Sequence, residues 1–201
     1  MTDSISWCIT ELPNDMVNIL SRDFTKFDSQ AKQSAVDGGK INTNIRDSKN
    51  VWIPTTHWSA GWIWYYIQKI NRENFEYDII DIDGGFMQYT HYDVGEFYTW
   101  HKDGDLNSYP KPDIKYSSGC NDNIKKPQFA RKLSFVLQLS NPTDYLGGEL
   151  QFLLNNSTIR CAPKQQGTLI LFDSRVQHRV KKIKSGHRKS LVGWVVGPKW
   201  K

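Results

Sequence analysis

The chain has 201 residues, 38% hydrophobic, 13% aromatic and 23% charged, with a net charge of +5. A chain of this length is one domain and buries enough surface to fold without disulfides or zinc; Cys8, Cys120 and Cys161 form no Cys-x-x-Cys pair, which argues against a disulfide framework or zinc ribbon and for a reducing compartment. No long apolar run marks a membrane span, and Met1-Thr2-Asp3-Ser4 lacks the regions of a signal peptide, so a cytoplasmic protein with no membrane partner is expected.

In chain order, Leu12-Pro13-Asn14-Asp15 followed by Met16, Val17, Ile19, Leu20 and Phe24 predicts a helix capped by Asn14 or Asp15. Residues 28–50 are polar and read as loop, with a short strand near Ile41–Ile45. Ser59 is placed to cap a second helix through Trp62, Ile63, Tyr66, Ile67 and Ile70 to Asn71. The aromatic cluster Trp52, Trp58, Trp62, Trp64, Tyr65 and Tyr66 reads first as core and second as a groove for a peptide or planar ligand.

From Tyr77 the pattern changes to short strands: Phe86–His91, Glu96–His101, Leu133–Leu139, Glu149–Leu154, Thr168–Phe172 and Leu191–Val196. Turn sequences separate them, among them Gly84-Gly85, Gly147-Gly148 and Ser185-Gly186. Two helices followed by evenly spaced strands predict a mainly β, α+β fold, a sandwich or small barrel with helices packed outside. Residues 104–128 break the rhythm with Pro110, Pro112, Gly119 and Pro127, and a loop this long is expected to act as a lid or to be a surface insertion.

Five histidines are available, and two open a His-x-Asp: His91-Tyr92-Asp93 and His101-Lys102-Asp103. In a strand, residues i and i+2 share a face, so either pair presents an imidazole beside a carboxylate. With a distant histidine, for which His178 beyond the apolar run 168–172 is the best candidate, such a pair makes a two-histidine, one-carboxylate facial triad for iron(II). Residue types alone leave both pairs open.

The neighbours narrow the choice. Tyr92, Gly95, Tyr98, His101 and Asp103 stand in an order that resembles the Tyr, Gly, Tyr-x-x-His-x-Asp signature of iron(II)- and 2-oxoglutarate-dependent oxygenases of the prolyl 4-hydroxylase type. Arg131 to Leu139, Gly147-Gly148-Glu149-Leu150-Gln151-Phe152, the stretch Pro163 to Phe172, and Gly186-His187-Arg188 with Trp194 resemble later pieces of that family in the same order. The likeness runs from about Gln88 to Gly197. It implies a double-stranded β-helix (jelly-roll, cupin-like) core over 77–201 with a lid at 104–128, supported by a helical region over 1–76, all in one oxygenase domain.

The same resemblance implies iron held by His101, Asp103 and His178, with His91-Tyr92-Asp93 set aside and Tyr92 reaching the 2-oxoglutarate carboxylate. It further implies 2-oxoglutarate and O2 as co-substrates, ascorbate as reductant, and hydroxylation of an unactivated C–H bond with release of succinate and CO2. Arg188 also has a physical case, because a guanidinium fork matches a distal carboxylate with two hydrogen bonds. Alternation puts it on one face with Ser190, Val192 and Trp194; otherwise it merely joins the basic run 181–189. Many prolyl hydroxylases carry lysine here, so arginine keeps the co-substrate and loosens the inference to proline.

Peptidyl proline is the expected substrate, since proline-rich segments dock on aromatic surfaces of the kind Tyr98, Trp100, Trp194 and Trp58 to Tyr66 offer. Another amino-acid side chain, a small molecule or a nucleobase is the alternative, as is a non-catalytic binding module of the same fold. The +5 charge and the basic run keep nucleic acid as a less favoured partner, without a helix-turn-helix or finger motif.

Overall fold

A computed structural model describes residues 7–36, 39–107, 109–110, 128–154 and 157–200. The spacing of Val17, Leu20 and Phe24 yields α1 (Asn14–Phe24), which buries those three side chains. No side chain caps it; the helix opens at Pro13, whose carbonyl accepts the Val17 N–H at 3.1 Å. The second helix, α2 (Trp58–Ile70), is capped by His57, whose imidazole accepts the Ser59 N–H, rather than by Ser59. Its buried stripe is Ala60, Ile63, Ile67 and Ile70. The aromatic cluster divides accordingly. Trp62, Trp64 and Tyr66 pack against the core edge, whereas Trp52, Trp58 and Tyr65 are exposed, so the core reading holds for only part of it.

The N-terminal stretch is less helical than expected, because it also supplies strands β1 (Trp7–Glu11), β2 (Lys32–Gln33), β3 (Arg46–Asp47) and β4 (Lys49–Pro54). The strand expected near Ile41–Ile45 is instead a turn, in which Asn42 accepts the Asn44 and Ile45 N–H groups. Asn side chains offer the backbone this local alternative to a ladder. The chain continues through β5 (Asp81–Ile82), β6 (Phe86–Tyr92), β7 (Phe97–His101), β8 (Tyr109–Pro110), β9 (Gln128–Gln138) and β10 (Tyr145–Gly147). It ends with β11 (Leu150–Leu154), β12 (Thr158–Cys161), β13 (Thr168–Asp173), β14 (Gln177–Val180), β15 (Ile183–Gly186) and β16 (Arg188–Pro198). Of the expected lid, residues 108 and 111–127 lie outside the described residues.

These strands form a major sheet in the order β1-β13-β9-β16-β6-β4-β2, with β5 added on β16 and β8 on β9, a minor sheet in the order β12-β11-β14-β7-β3, and a separate β10-β15 pair, all antiparallel. The run Thr168–Phe172 shows why the sheets stack. Leu169 and Leu171 face a core under the helices, while Ile170 and Phe172 face a second core between the sheets. A strand buried on both faces reads as continuously apolar. Each such side chain taken from water contributes roughly 1.5–3 kcal/mol. The inter-sheet core, with Phe152 and Phe172 fully buried, is the floor on which the site stands. The result is the mainly β, double-stranded β-helix architecture with flanking helices. Among the described residues no helix is long and apolar enough to cross a membrane.

Candidate active site

His101 ends β7 and His178 lies in β14, and the antiparallel pairing of these strands sets the two residues directly opposite. Asp103 follows β7 by two residues and is turned back by its own N–H and that of Gly104, which both donate to the Ser174 carbonyl. One potential ligand atom from each of His101, Asp103 and His178 lies within 4.8 Å of the others. His101 Nε2 is 3.6 Å from Asp103 Oδ1, and His178 Nε2 is 3.4 Å from Asp103 Oδ2.

The hydrogen bonds fix which nitrogen faces the centre. His101 Nδ1–H donates to the Thr99 carbonyl at 2.8 Å and His178 Nδ1–H to the Val176 carbonyl at 3.0 Å. The Nε2 atom of each ring therefore faces the carboxylate, the arrangement in which an outer partner orients a metal-bound imidazole. Burial, reinforced by neighbouring His178, pushes the His101 imidazole down to about 4, so it is neutral at physiological pH. Burial works against ionisation of Asp103, yet His178 and His101 beside it hold the carboxyl below its ordinary value. Two imidazoles that present Nε2 and one carboxylate, with no lysine or arginine among them, are the donors iron(II) takes. These residues fit the metal.

Asp103 is braced from outside. Arg131 donates to its backbone carbonyl at 3.1 Å, is anchored on Asp83 at 2.8 Å, and lies over the Trp194 ring at 4.3 Å. The Trp194 indole N–H is buried beside the Asp103 carboxylate and helps to hold it ionised.

The triad opens into a cavity of about 810 Å³ lined also by Tyr92, Tyr98 and Trp194. Tyr98 stacks on His101 with ring centroids 3.5 Å apart. Trp100, expected on the same surface, is not on the cavity wall; its ring lies against Arg179 at 4.5 Å. The aromatic stripe of α2 does not line the cavity either, while Trp52 does. His91 contacts Tyr89 and Asp28, and Asp93 pairs with Lys49 and His187, so the first His-x-Asp contributes no ligand set.

Arg188 is 1% exposed, unlike Lys181, Lys182, Lys184 and His187 around it in the chain. Its guanidinium donates to Gln138 Oε1 at 2.9 Å and Ser190 Oγ at 3.3 Å, and lies 5.5 Å from the centre of the Tyr92 ring. Every one of these partners is neutral, and its buried Nε has no partner among the described residues. Tyr145 is buried beside it. Gly148, at φ +64, makes the close approach feasible, since a Cβ there would lie 2.4 Å from Ile183 Cδ1 and 3.1 Å from Arg188 Cδ. A buried guanidinium among neutral groups is a receptor for an anion. Sequence reasoning missed Tyr145 and Gln138; Gln138 is the cross-strand partner of Ser190, a register visible only in the sheet.

A double-stranded β-helix with two histidines and a carboxylate on adjoining strands defines the class of non-haem iron oxygenases. The family model for the 2OG-Fe(II) oxygenase superfamily matches residues 87–196, more than half of the chain, and the chain belongs to that superfamily. A PKHD-type hydroxylase of Parvibaculum lavamentivorans is 41% identical over 63 residues, 31% of this chain and 28% of that protein. Another from a Synechococcus species is 36% identical over 104 residues, 51% of this chain and 37% of that protein, so the matched segments span well under half of these curated relatives. Among solved structures, a Pseudomonas putida prolyl-4-hydroxylase is similar with TM-score 0.68 and 23% identity, covering 94% of this chain and 92% of that one. A Trichoplax adhaerens prolyl hydroxylase in complex with a peptide fragment of the hypoxia inducible factor oxygen degradation domain has TM-score 0.69 and 18% identity, covering 94% and 83%. At these identities the structural likeness speaks for the fold.

Proposed function

We propose that this chain is an iron(II)- and 2-oxoglutarate-dependent dioxygenase that hydroxylates an unactivated C–H bond of a peptide or protein, with peptidyl proline as the leading target. The observation that carries the proposal is the convergence of His101 Nε2, His178 Nε2 and the Asp103 carboxylate on one point of an open cavity. Iron(II) with 2-oxoglutarate and O2 would supply the oxidising chemistry, the co-substrate leaving as succinate and CO2. Ascorbate is the proposed reductant.

The chain's own residues bind, orient and shield. His101, Asp103 and His178 would hold the metal, and three protein ligands leave positions for co-substrate and O2. Arg188, buried among neutral partners, would receive the distal carboxylate of 2-oxoglutarate, with Tyr92 and Tyr145 as hydroxyl partners. Tyr98, Trp194 and Trp52 are the aromatic cavity walls against which a peptide would lie; Trp100, facing away, is left out. Peptide as substrate class rests on the likeness to prolyl hydroxylases, one of them solved with a peptide fragment. A cytosolic setting agrees with the unpaired thiols of Cys8 and Cys161.

The test is a mass-spectrometric screen of proline-rich peptides, other peptides and oligonucleotides with iron(II) and 2-oxoglutarate. The expected result is one added oxygen atom on a peptide. A product on oligonucleotides alone would contradict the substrate class.

A further inference from the structure

A second buried guanidinium lies in the wall of the cavity. Arg46, in β3, is 6% exposed and lines the cavity with Tyr98, Gln88 and the exposed Lys32. Its Nε–H donates to Ser48 Oγ at 3.0 Å, one terminal nitrogen to the Ala35 carbonyl at 3.3 Å and the other to Gln88 Oε1 at 3.1 Å. Its guanidinium carbon lies 4.9 Å from the centre of the Tyr98 ring. All of these partners are neutral.

The nearby acids are engaged elsewhere. Asp47 accepts from Gln33, and Asp93 and Glu96 pair with Lys49. The described cavity wall carries Lys32, Arg46, Lys102 and Arg131 against a single carboxylate, that of Asp103. Of these cations, Arg131 is paired with Asp83. Iron(II) and 2-oxoglutarate carry equal and opposite charge, so loading the site leaves this excess in place.

A charge held out of water without a counter-ion is costly, and a cavity lined by one sign of charge concentrates ligands of the other. We propose that Arg46 is a specificity residue that receives a carboxylate of the substrate, so that the preferred peptide carries an acidic residue beside the one oxidised. Tyr98 touches both Arg46 and His101, which sets the carboxylate one side chain away from the metal rather than on the target residue itself. Arginine suits the role because its planar fork takes a carboxylate with two hydrogen bonds. The identification of the acid as part of a peptide rests on the function proposed above; the anion site itself does not.

The experiment is equilibrium binding to full-length protein loaded with manganese(II) and 2-oxoglutarate, so that no turnover occurs. Matched fluorescent peptides carry Glu, Gln or Lys next to one proline, and N-acetylglutamate amide and a single-stranded oligonucleotide serve as further probes. The Glu peptide is expected to bind about tenfold more tightly than the Gln peptide, and the Lys peptide more weakly than either. Salt is expected to erode that preference, Arg46→Gln to abolish it and Arg46→Lys to keep part of it. If Arg46→Gln does not fold, Lys32→Gln, at an exposed position on the same wall, is expected to reduce the preference severalfold.

Equal binding of the Glu and Gln peptides by the unaltered protein would overturn the proposal, as would a preference that survives Arg46→Gln. Binding of the oligonucleotide alone would overturn it too. Arg46-dependent binding of N-acetylglutamate amide with no peptide bound would uphold the anion site and instead refute the peptide reading.

Discussion

His101 and His178 are an antiparallel cross-strand pair, directly opposite one another with ring centroids 4.1 Å apart. The candidate metal centre is thus a property of register, because slipping β14 by one residue would turn His178 to the other face of the minor sheet. The pairing continues on the far side, where Phe152 of β11 faces His178 and packs on Trp7 and Phe172. The site inherits its rigidity from the core between the sheets.

Arg131 braces the Asp103 carbonyl and is held by Asp83. Asp83→Asn is expected to leave the fold intact and weaken metal binding about tenfold, the usual size of an outer-partner effect. Calorimetric titration with manganese(II) measures it, and unchanged affinity would make the Asp83–Arg131 pair merely structural.

Arg188 lacks a carboxylate partner among the described residues. Arg188→Ala is expected to raise the dissociation constant for 2-oxoglutarate roughly 10–100-fold, with Arg188→Lys intermediate. Metal affinity measured without 2-oxoglutarate is expected to stay the same. An unchanged 2-oxoglutarate constant would move the carboxylate's partner elsewhere, and not to Lys189, which is paired with Asp28 at 2.6 Å.

Gly148→Ala places a methyl group against Ile183 and Arg188 at a positive φ. A loss of about 1–3 kcal/mol in stability is expected from the backbone strain alone. Thermal unfolding checks this, and the surviving folded protein is expected to bind 2-oxoglutarate more weakly because Arg188 Cδ is displaced.

Asp173 closes β13 just before the turn that delivers His178, and it accepts hydrogen bonds from Arg175 at 2.5 Å and from the Tyr77 hydroxyl at 2.6 Å. Burial opposes its ionisation, but Arg175 and Tyr77 hold the carboxyl below its ordinary value of 3.8. The folded state therefore favours the ionised form. That stabilisation is full above the unfolded value and is lost as pH falls through the depressed folded one. Tyr77→Phe is expected to cost about 1.5 kcal/mol at neutral pH. The difference from the unaltered protein is expected to shrink below pH 3.8, as Asp173 protonates through its depressed value in the folded protein, and denaturant melts across pH measure it.

Much of the site was legible because its residues carry local signatures. His101-x-Asp103 lies at a strand end, Gly147-Gly148 marks a turn, and the apolar run 168–172 leads to His178. The small strands β2, β3 and β4 were not, because two-residue strands hold no period and Lys49–Pro54 follows a polar stretch rich in turn formers. Arg46 was missed for the same reason. It sits in such a strand, and only the pairing of β3 with β7 carries it to the cavity. Trp100 fails for a different cause: its neighbours Tyr98 and His101 both reach the cavity, so alternation along β7 does not assign faces.

The most direct test of the account is anaerobic titration of iron(II) and then 2-oxoglutarate into the protein and its Asp103→Ala variant, following the charge-transfer absorption of the chelate. The unaltered protein is expected to bind one iron per chain and develop the absorption only when 2-oxoglutarate is added. The variant, folded by circular dichroism, is expected to do neither. Failure of the unaltered protein to bind iron, or an Asp103→Ala variant with undiminished iron affinity and absorption, would contradict the assignment of His101, Asp103 and His178 as the metal centre.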